Sequence, residues 1–383
     1  MPVRQFTDTS AVAISYTRAN VKDRAEFDAL SAAQREMRYV PYTAENHTVG
    51  LDSTKSAAIT SSRRSNGSKN TRGTASAGWT SEVGFTQFIR DMLEMSFMDD
   101  FKTIGDGVEL LIDGSKNQFM VSEERITNND ARNFRLFLGQ LVNEMTLTFG
   151  DSNMGTLQIA TVAANFDHWM NKEKSEDKAF GGAGSKYLEP DAYEQADSAN
   201  NIKNLFIAKQ DGTPVEMTFS QITATLGNNV RTQNAVGHIF AAGLAKGQSD
   251  VSFSGTAYYE DDTLLSMHMA NEKLRLAMPI ETKEGTIVLF APSLSMSSPG
   301  GNSGGQNQDF TASITLTAET GSVKVNGAAT SCLIGALWVQ KGKDWKQYVD
   351  LGIQGLPVTV KSTQDTGSNT GSTTTGGTNQ NGG

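Results

Sequence analysis

The chain has 383 residues, 37% of them hydrophobic and 20% charged, with 37 glycines and a formal net charge of −9. That is enough apolar material for one large or two ordinary domains, and an acidic balance without a dominant basic patch argues against tight nucleic-acid binding. Cys332 is the only cysteine, which excludes an intrachain disulfide and fits a reducing compartment.

Taken in chain order, the first twenty residues read as a short strand carrying Val12, Ile14 and Tyr16. The spacing of Phe27, Leu30, Ala33 and Met37 predicts a helix over Val21–Tyr39, stopped by Pro41. A strand comes next near Lys55–Ser62, then a Ser/Asn/Gly-rich loop to Gly73 that holds Arg63, Arg64, Lys69 and Arg72, then a strand over Thr74–Thr80. Phe85, Phe88, Ile89, Met92 and Leu93 fall at i, i+3, i+4, i+7 and i+8, which predicts a helix over Phe85–Met98 with one apolar stripe for module or subunit packing. An irregular insert, Asp99–Asp130, carries one strand at Val108–Ile112. Phe134–Phe149 and Thr156–Phe166 then form a hairpin across GDSNMG.

His168–Ala199 is charged and glycine-containing and reads as a surface connector. Strands are expected over Asn204–Ile207 and Val215–Leu226, the second changing phase between Phe219 and Ile222 as a β-bulge does. Asn228–Gln248 is a long loop, helical around Ile239–Lys246. In the strand Val251–Tyr259, Val251, Phe253, Ala257 and Tyr259 share one face, and Ser252, Ser254, Thr256 and Tyr258 the other. Asp261 and Asp262 are N-cap candidates for a helix over Thr263–Ala270, which would pack through Leu264 and Met267. Ile287–Ser297 pairs with Phe310–Ala318 across SPGGNSGGQNQ, with Ala312, Ile314 and Leu316 inward and Thr311, Ser313, Thr315 and Thr317 outward. A strand or two lies in Ala329–Gln340 and Pro357–Val360, and the Ser/Thr/Gly-rich stretch from Lys361 has nothing to bury.

The order strand, short helix, hydroxyl-rich hairpin therefore occurs twice: TASAGWTSE, GFTQFIRDMLEM, EMTLTF and GTLQIATVAANF, then VSFSGTAYY, DDTLLSMHMAN, SLSMSS and DFTASITLTA. The expected divisions are a first module at 1–167, a connector at 168–200, a second module at 201–325, an extension at 326–360 and a tail at 361–383. Catalytic motifs fail on context. Gly301-Asn302-Ser303-Gly304-Gly305 matches a nucleophile elbow, but the elbow needs a strand before and a helix after, and this segment is a flexible hairpin tip. GGAGSK at Gly181–Lys186 lacks phosphate-loop spacing. His47, His168, His238 and His268 contain no pair at metal spacing. Neighbouring acids such as Asp99-Asp100, Glu123-Glu124 and Asp261-Asp262 point apart and make poor acid/base pairs. No enzyme, cofactor or metal is expected. No apolar run reaches the ~18 residues of a membrane helix, and MPVRQFTDTSAV has no signal-peptide core.

Four blocks in this order, REMRYVPYTAENHTVGLDSTKSAAITSSRR, GFTQFIRDMLEMSF, FRLFLGQLVNEMTLTFGDSNMGTLQIATVAANFD and FSGTAYYEDDTLLSMHMANEKLRLAMPI, resemble the tail tube proteins of long, flexible-tailed bacteriophages over about residues 10–320. The resemblance implies a mainly β fold: a duplicated β-sandwich or barrel module with flanking short helices, joined edge to edge into a ring with a closed inner β-barrel. It implies a structural virion protein, assembled in the host cytoplasm, whose stacked rings conduct genomic DNA. Its partners would be itself, the tape-measure protein, and the tail terminator and distal tail proteins, with double-stranded DNA passing through. Two modules per chain imply a trimeric, pseudo-sixfold ring. The candidate lumen lining is Thr146, Thr148, Thr311, Ser313, Thr315 and Thr317. Candidate contacts between rings are Arg63, Arg64, Lys69, Arg72, Asn228 and Arg231. Two other readings stay open: a decoration or receptor-binding protein displaying the Ser/Thr/Gly tail, and a hydrolase built on Ser303.

Overall fold

The computed structural model describes residues 12–57, 67–127, 132–151, 153–171, 186–202, 205–258, 262–297, 300–303 and 309–356. Alternating apolar and hydroxyl residues dictate strands nearly throughout. The first half contains β1 (Val12–Thr17), α1 (Arg24–Asp28), β2 (Met37–Tyr39), β3 (Tyr42–Glu45), β4 (Thr48–Lys55), β5 (Ser68–Glu82), α2 (Gln87–Phe97), β6 (Lys102–Gly105), β7 (Val108–Ile112), β8 (Met120–Thr127), β9 (Arg132–Gly150) and β10 (Thr156–Asn171). The second contains β11 (Tyr187–Leu188), β12 (Phe206–Lys209), β13 (Pro214–Val215), β14 (Phe219–Gly227), β15 (Arg231–Gln233), β16 (Gly243–Ala245), β17 (Asp250–Tyr258), α3 (Thr263–Met269), β18 (Lys273–Glu281), β19 (Gly285–Met296), β20 (Gly300–Ser303) and β21 (Phe310–Ala318). Four strands close the order: β22 (Gly321–Val325), β23 (Ala328–Cys332), β24 (Gly335–Gln340) and β25 (Val349–Asp350).

One antiparallel run, β4–β5–β10–β9–β14–β17–β21–β20, forms the spine of the molecule. Its pairing pattern occurs twice. β3 and β4 flank β5, which pairs β10, which pairs β9; likewise β14 flanks β17, which pairs β21, which pairs β20 and the end of β19. Even the irregularities coincide. The register steps over Thr43 between β3 and β5, and over Ser220 between β14 and β17. The second is the bulge expected from the phase change after Phe219. The β9–β14 ladder joins the two patterns. Among the described residues no sheet closes on itself within the chain.

β9 and β19 change partners midway, as strands do at the corner of a sandwich. The first part of β9 pairs β8, which pairs β1. β19 pairs β18, which pairs β12, along Thr286–Ser295, while on its other side its first part, Gly285–Phe290, pairs β24 and its end pairs β21. β24 reaches on to β7, so this strand of the C-terminal segment ties the second half to the insert of the first. The main core lies between spine and outer strands, around buried Trp79, Phe88, Met92, Phe137, Phe253 and Leu294. Each such side chain contributes about 1.5–3 kcal/mol by leaving water. A second core, with Val288, Phe290, Leu337, Trp345 and Cys332, sits under the β23–β22–β25 sheet. Burial pushes the Cys332 thiol up to about 12, helped by the nearby Asp113 charge.

Several local expectations are corrected. Val21–Tyr39 is not one helix: Asp23 caps α1, and a Ser31–Gln34 capping box starts a separate 3-10 turn at Ala32–Arg35 before β2. Two strong start signals within nine residues leave no room for a long helix. The loop expected to reach Gly73 is strand from Ser68, and its residues 58–66 lie outside the described set. The insert holds β6, β7 and the whole of β8 rather than one strand. Ile239–Lys246 is not helical; β15 and β16 form a small hairpin, and Phe240 wedges against Gly73 and Phe166. Of the hairpin expected between Ile287–Ser297 and Phe310–Ala318, only Leu294–Met296 pairs β21, and β20 supplies the rest. Asp262 stands at the N-cap of α3 without a side-chain capping hydrogen bond. β10 runs on to Asn171, into the segment expected as connector. Residue 261, the segment 172–185 and the chain after 356 lie outside the described residues.

Candidate functional site

The spine has two unlike faces because strand side chains alternate. One face carries Trp79, Leu147, Ile159, Leu226, Phe253 and Leu316, all buried in the main core. The other is a ladder of hydroxyls. Gln158, Thr146, Thr225, Ser252 and Thr317 stand opposite one another in sequence across β10, β9, β14, β17 and β21. The next row is Thr156, Thr148, Thr223, Ser254 and Thr315. A third reads Gly150, Gln221, Thr256 and Ser313. With about 4.8 Å between strands, each five-strand row spans roughly 20 Å.

All six hydroxyl residues singled out in the sequence thus share one face, together with Ser252, Ser254 and Thr256, which the alternation of Val251–Tyr259 also places on one side, and the structure adds Thr156, Gln158, Thr223 and Thr225. The same alternation could have found them, but only the β9–β14 pairing shows that the halves form one surface. Thr148 and Thr223 meet across that seam with Oγ1 atoms 3.3 Å apart. Ser295 and Ser297 donate to the Thr317 and Thr315 carbonyls at the far edge. No lysine or arginine occupies these rows. The charges that border them are acidic: Glu144 opposite Gly227, Asp250 opposite the same glycine, and Glu82 opposite Thr156.

The candidate contact residues divide. Arg63 and Arg64 lie outside the described residues. Lys69 and Arg72 are exposed on β5, and Arg231 is exposed on β15. Arg72 Nη2 donates to Thr232 Oγ1 at 3.4 Å, so the β4–β5 arm and the 228–249 loop stand together at one end of the spine. Asn228 is a correction: it is buried, and its Nδ2 donates to the Ser96 and Val142 carbonyls. It pins the second half onto α2 and has no exposed surface to offer another ring. Of the packing residues, Phe88, Ile89, Met92, Leu93, Leu264 and Met267 are buried. Phe85 lies ahead of α2 rather than on it, its ring 3.9 Å from that of Trp338.

Ser303 ends β20, and the next described element is another strand, β21. His268 Nδ1 is 2.9 Å from the Met296 carbonyl. Among the described residues, no three His, Cys, Asp or Glu side chains gather at metal-binding distance, and no helix is long and apolar enough to cross a membrane.

A sequence model of the phage tail tube protein family matches residues 7–318. No curated protein matches the chain. The match covers most of the molecule, and the chain belongs to the phage tail tube protein family. It is a structural protein of the virion tail, of a family that is structural rather than enzymatic, and its structure is mainly β. The match stops at the end of β21, so β22–β25 lie beyond it.

Proposed function

We propose that this chain forms rings that stack into the tail tube, and that the hydroxyl face of the spine lines the channel through which DNA leaves. The observation that carries this reading is the continuity of that face across the β9–β14 seam. Two modules already join edge to edge inside one chain, and the outer edges, β4 and β20, have no further strand beside them among the described residues. Open edges recruit further strands. Repeating the joint between copies would close a barrel of many strands around water. Three chains then give six modules. The tape-measure protein and the proteins at the two ends of the tail would be further partners.

The lining suits passage. DNA carries a charge about every 1.7 Å of axis, so a basic wall would hold it by counterion release. Uncharged hydroxyls bordered by Glu144, Asp250 and Glu82 offer no such grip. At the rim, Lys69, Arg72 and Arg231, together with Arg63 and Arg64, would meet acidic surface of the adjacent ring.

Negative-stain microscopy of the purified chain tests the proposal: hollow tubes are expected, and native mass of an isolated ring should give three chains. A compact oligomer that binds cells would favour a receptor-binding role, and six chains per ring would remove the trimer. Replacing Thr146, Thr225 and Ser252 by Lys should leave tubes intact and slow DNA ejection. Unchanged ejection from a basic lumen would defeat the lining argument.

A further inference from the structure

The seam inside the chain can be compared, position by position, with the two open edges. The two pairing patterns align residue by residue. Thr48 pairs Ser76 and Val49 pairs Ala75, as Thr225 pairs Ser252 and Leu226 pairs Val251. On the other side, Gly300 pairs Ser313 and Gly301 pairs Ala312, as Thr146 pairs Gln158 and Leu147 pairs Leu157. Inside the chain, Thr146 stands opposite Thr225 and Leu147 opposite Ala224, a large side chain against a small one. The equivalent positions on the two open edges hold Gly301 and His47. Bulk is therefore exchanged: nothing where the leucine was, an imidazole where the alanine was.

His47 is built for that place. Its side chain is 1% exposed although it sits at an open edge, and Nδ1 lies 2.9 Å from Glu45 Oε2. The ring packs 5.1 Å from Phe137 and 6.2 Å from Trp79, and Nε2 has no hydrogen-bond partner among the described residues. It helps line a cleft of 590 Å³ with Val49, Phe166 and His168. Val49 and Leu51 are 41% and 53% exposed along this edge, whereas Leu226, the equivalent of Val49, is 1% exposed under β9.

We propose that β20 of one copy adds antiparallel to β3–β4 of the next, with Gly300 opposite Thr48, Gly301 opposite His47 and Asn302 opposite Asn46. The proposal rests on the ring reading above. The reversed pair makes the edges selective: β20 fits beside His47, whereas a leucine-bearing edge such as β9 is kept for Ala224.

The test uses the full chain. Gly301→Leu should abolish rings and tubes at concentrations where the wild type assembles, while circular dichroism shows a folded monomer. Adding His47→Ala recreates the internal pair and should restore assembly. Independently, Thr48→Cys with Gly300→Cys should form disulfide-linked multimers on mild oxidation of tubes, while either single variant stays monomeric on a denaturing gel. Normal assembly by Gly301→Leu, a folded double variant that stays monomeric, or intact tubes without cross-links would each overturn the register. A wild-type chain that forms no rings under any condition sinks the ring reading itself, and this proposal with it.

Discussion

α2 and α3 come after equivalent strands, yet their surroundings differ sharply. Nine of the eleven residues of α2 are buried, including Asp91, Glu94 and Ser96. Only Leu264 and Met267 of the seven residues of α3 are buried, and Met269 is 79% exposed. The cause lies in the stretch of chain downstream of each helix. After α2 the chain inserts β6 and β7, and β24 pairs onto β7 from the far end of the sequence, bringing Trp338 against Phe85. After α3 the chain passes through 270–272 directly into β18. An apolar stripe reports the side a helix turns to its sheet; it does not report whether something later covers the other side.

Enclosing α2 buries carboxylates, and Arg18 makes that tolerable. Its guanidinium reaches Glu94, Asp91 at 3.4 Å and Asp100 at 3.1 Å, and Tyr16 donates to Asp91 at 2.7 Å. Those carboxylates hold the Arg18 pKa above its ordinary value even though burial opposes it. Burial and the Asp91 charge together raise the Tyr16 phenol well above its ordinary value.

The contrast between the helices can be broken from either side. The largest effect is expected at the cover: Trp338→Ala should cost about 3–5 kcal/mol, read as a fall in the denaturant midpoint. Arg18→Met leaves Asp91 and Glu94 buried without their cation and should cost about 3 kcal/mol. Met92→Ala, under the enclosed helix, should cost about 2–4 kcal/mol. If urea unfolding shows any of these three within 0.5 kcal/mol of the wild type, roughly the spread of surface changes, the enclosure of α2 is not what stabilises it.

Acid should act on the same cover. Burial works against ionisation of Asp100, but hydrogen bonds from Lys116 and Gln118 and the charges of Lys116 and Arg18 outweigh it, so its pKa is lowered. A group with a lowered folded-state pKa adds stability that is present above its unfolded value, about 3.9, and is lost as pH falls through the folded value. Melting temperature should therefore drop below about pH 4, and drop less in Asp100→Asn. An equal drop in both would assign acid lability to other groups. The smallest effect is expected at α3, where Met269→Ala should change monomer stability by less than about 0.5 kcal/mol.

Much of the spine is legible in residue order. The alternation over Phe310–Ala318 places Thr311 to Thr317 on one face, and the phase slip after Phe219 marks a true bulge. Long-range partnership is not legible. That β9 turns from β8 to β14, or that β24 runs between β19 and β7, depends on pairings between residues far apart in sequence, which no local pattern records. Over Val21–Tyr39 the helical periodicity misleads, because the Asp23 and Ser31 caps divide the segment. Asn228 looks like a loop residue because its neighbours are polar, while its amide serves buried carbonyls of α2 and β9. The hydroxyl ladder lies between these cases: each strand's share is visible, and the shared surface is not.

The β9–β14 ladder also has a numerical consequence. Because the two pairing patterns are joined through a finished seam, a closed ring of the kind proposed above would hold an even number of modules, and arrangements of five or seven would not arise. In the three-chain ring proposed above, three of the six seams would exist before any encounter, leaving three to form between chains. Every remaining seam of that proposed ring would be of one kind, and errors in ring size would be confined to gaining or losing a whole pair.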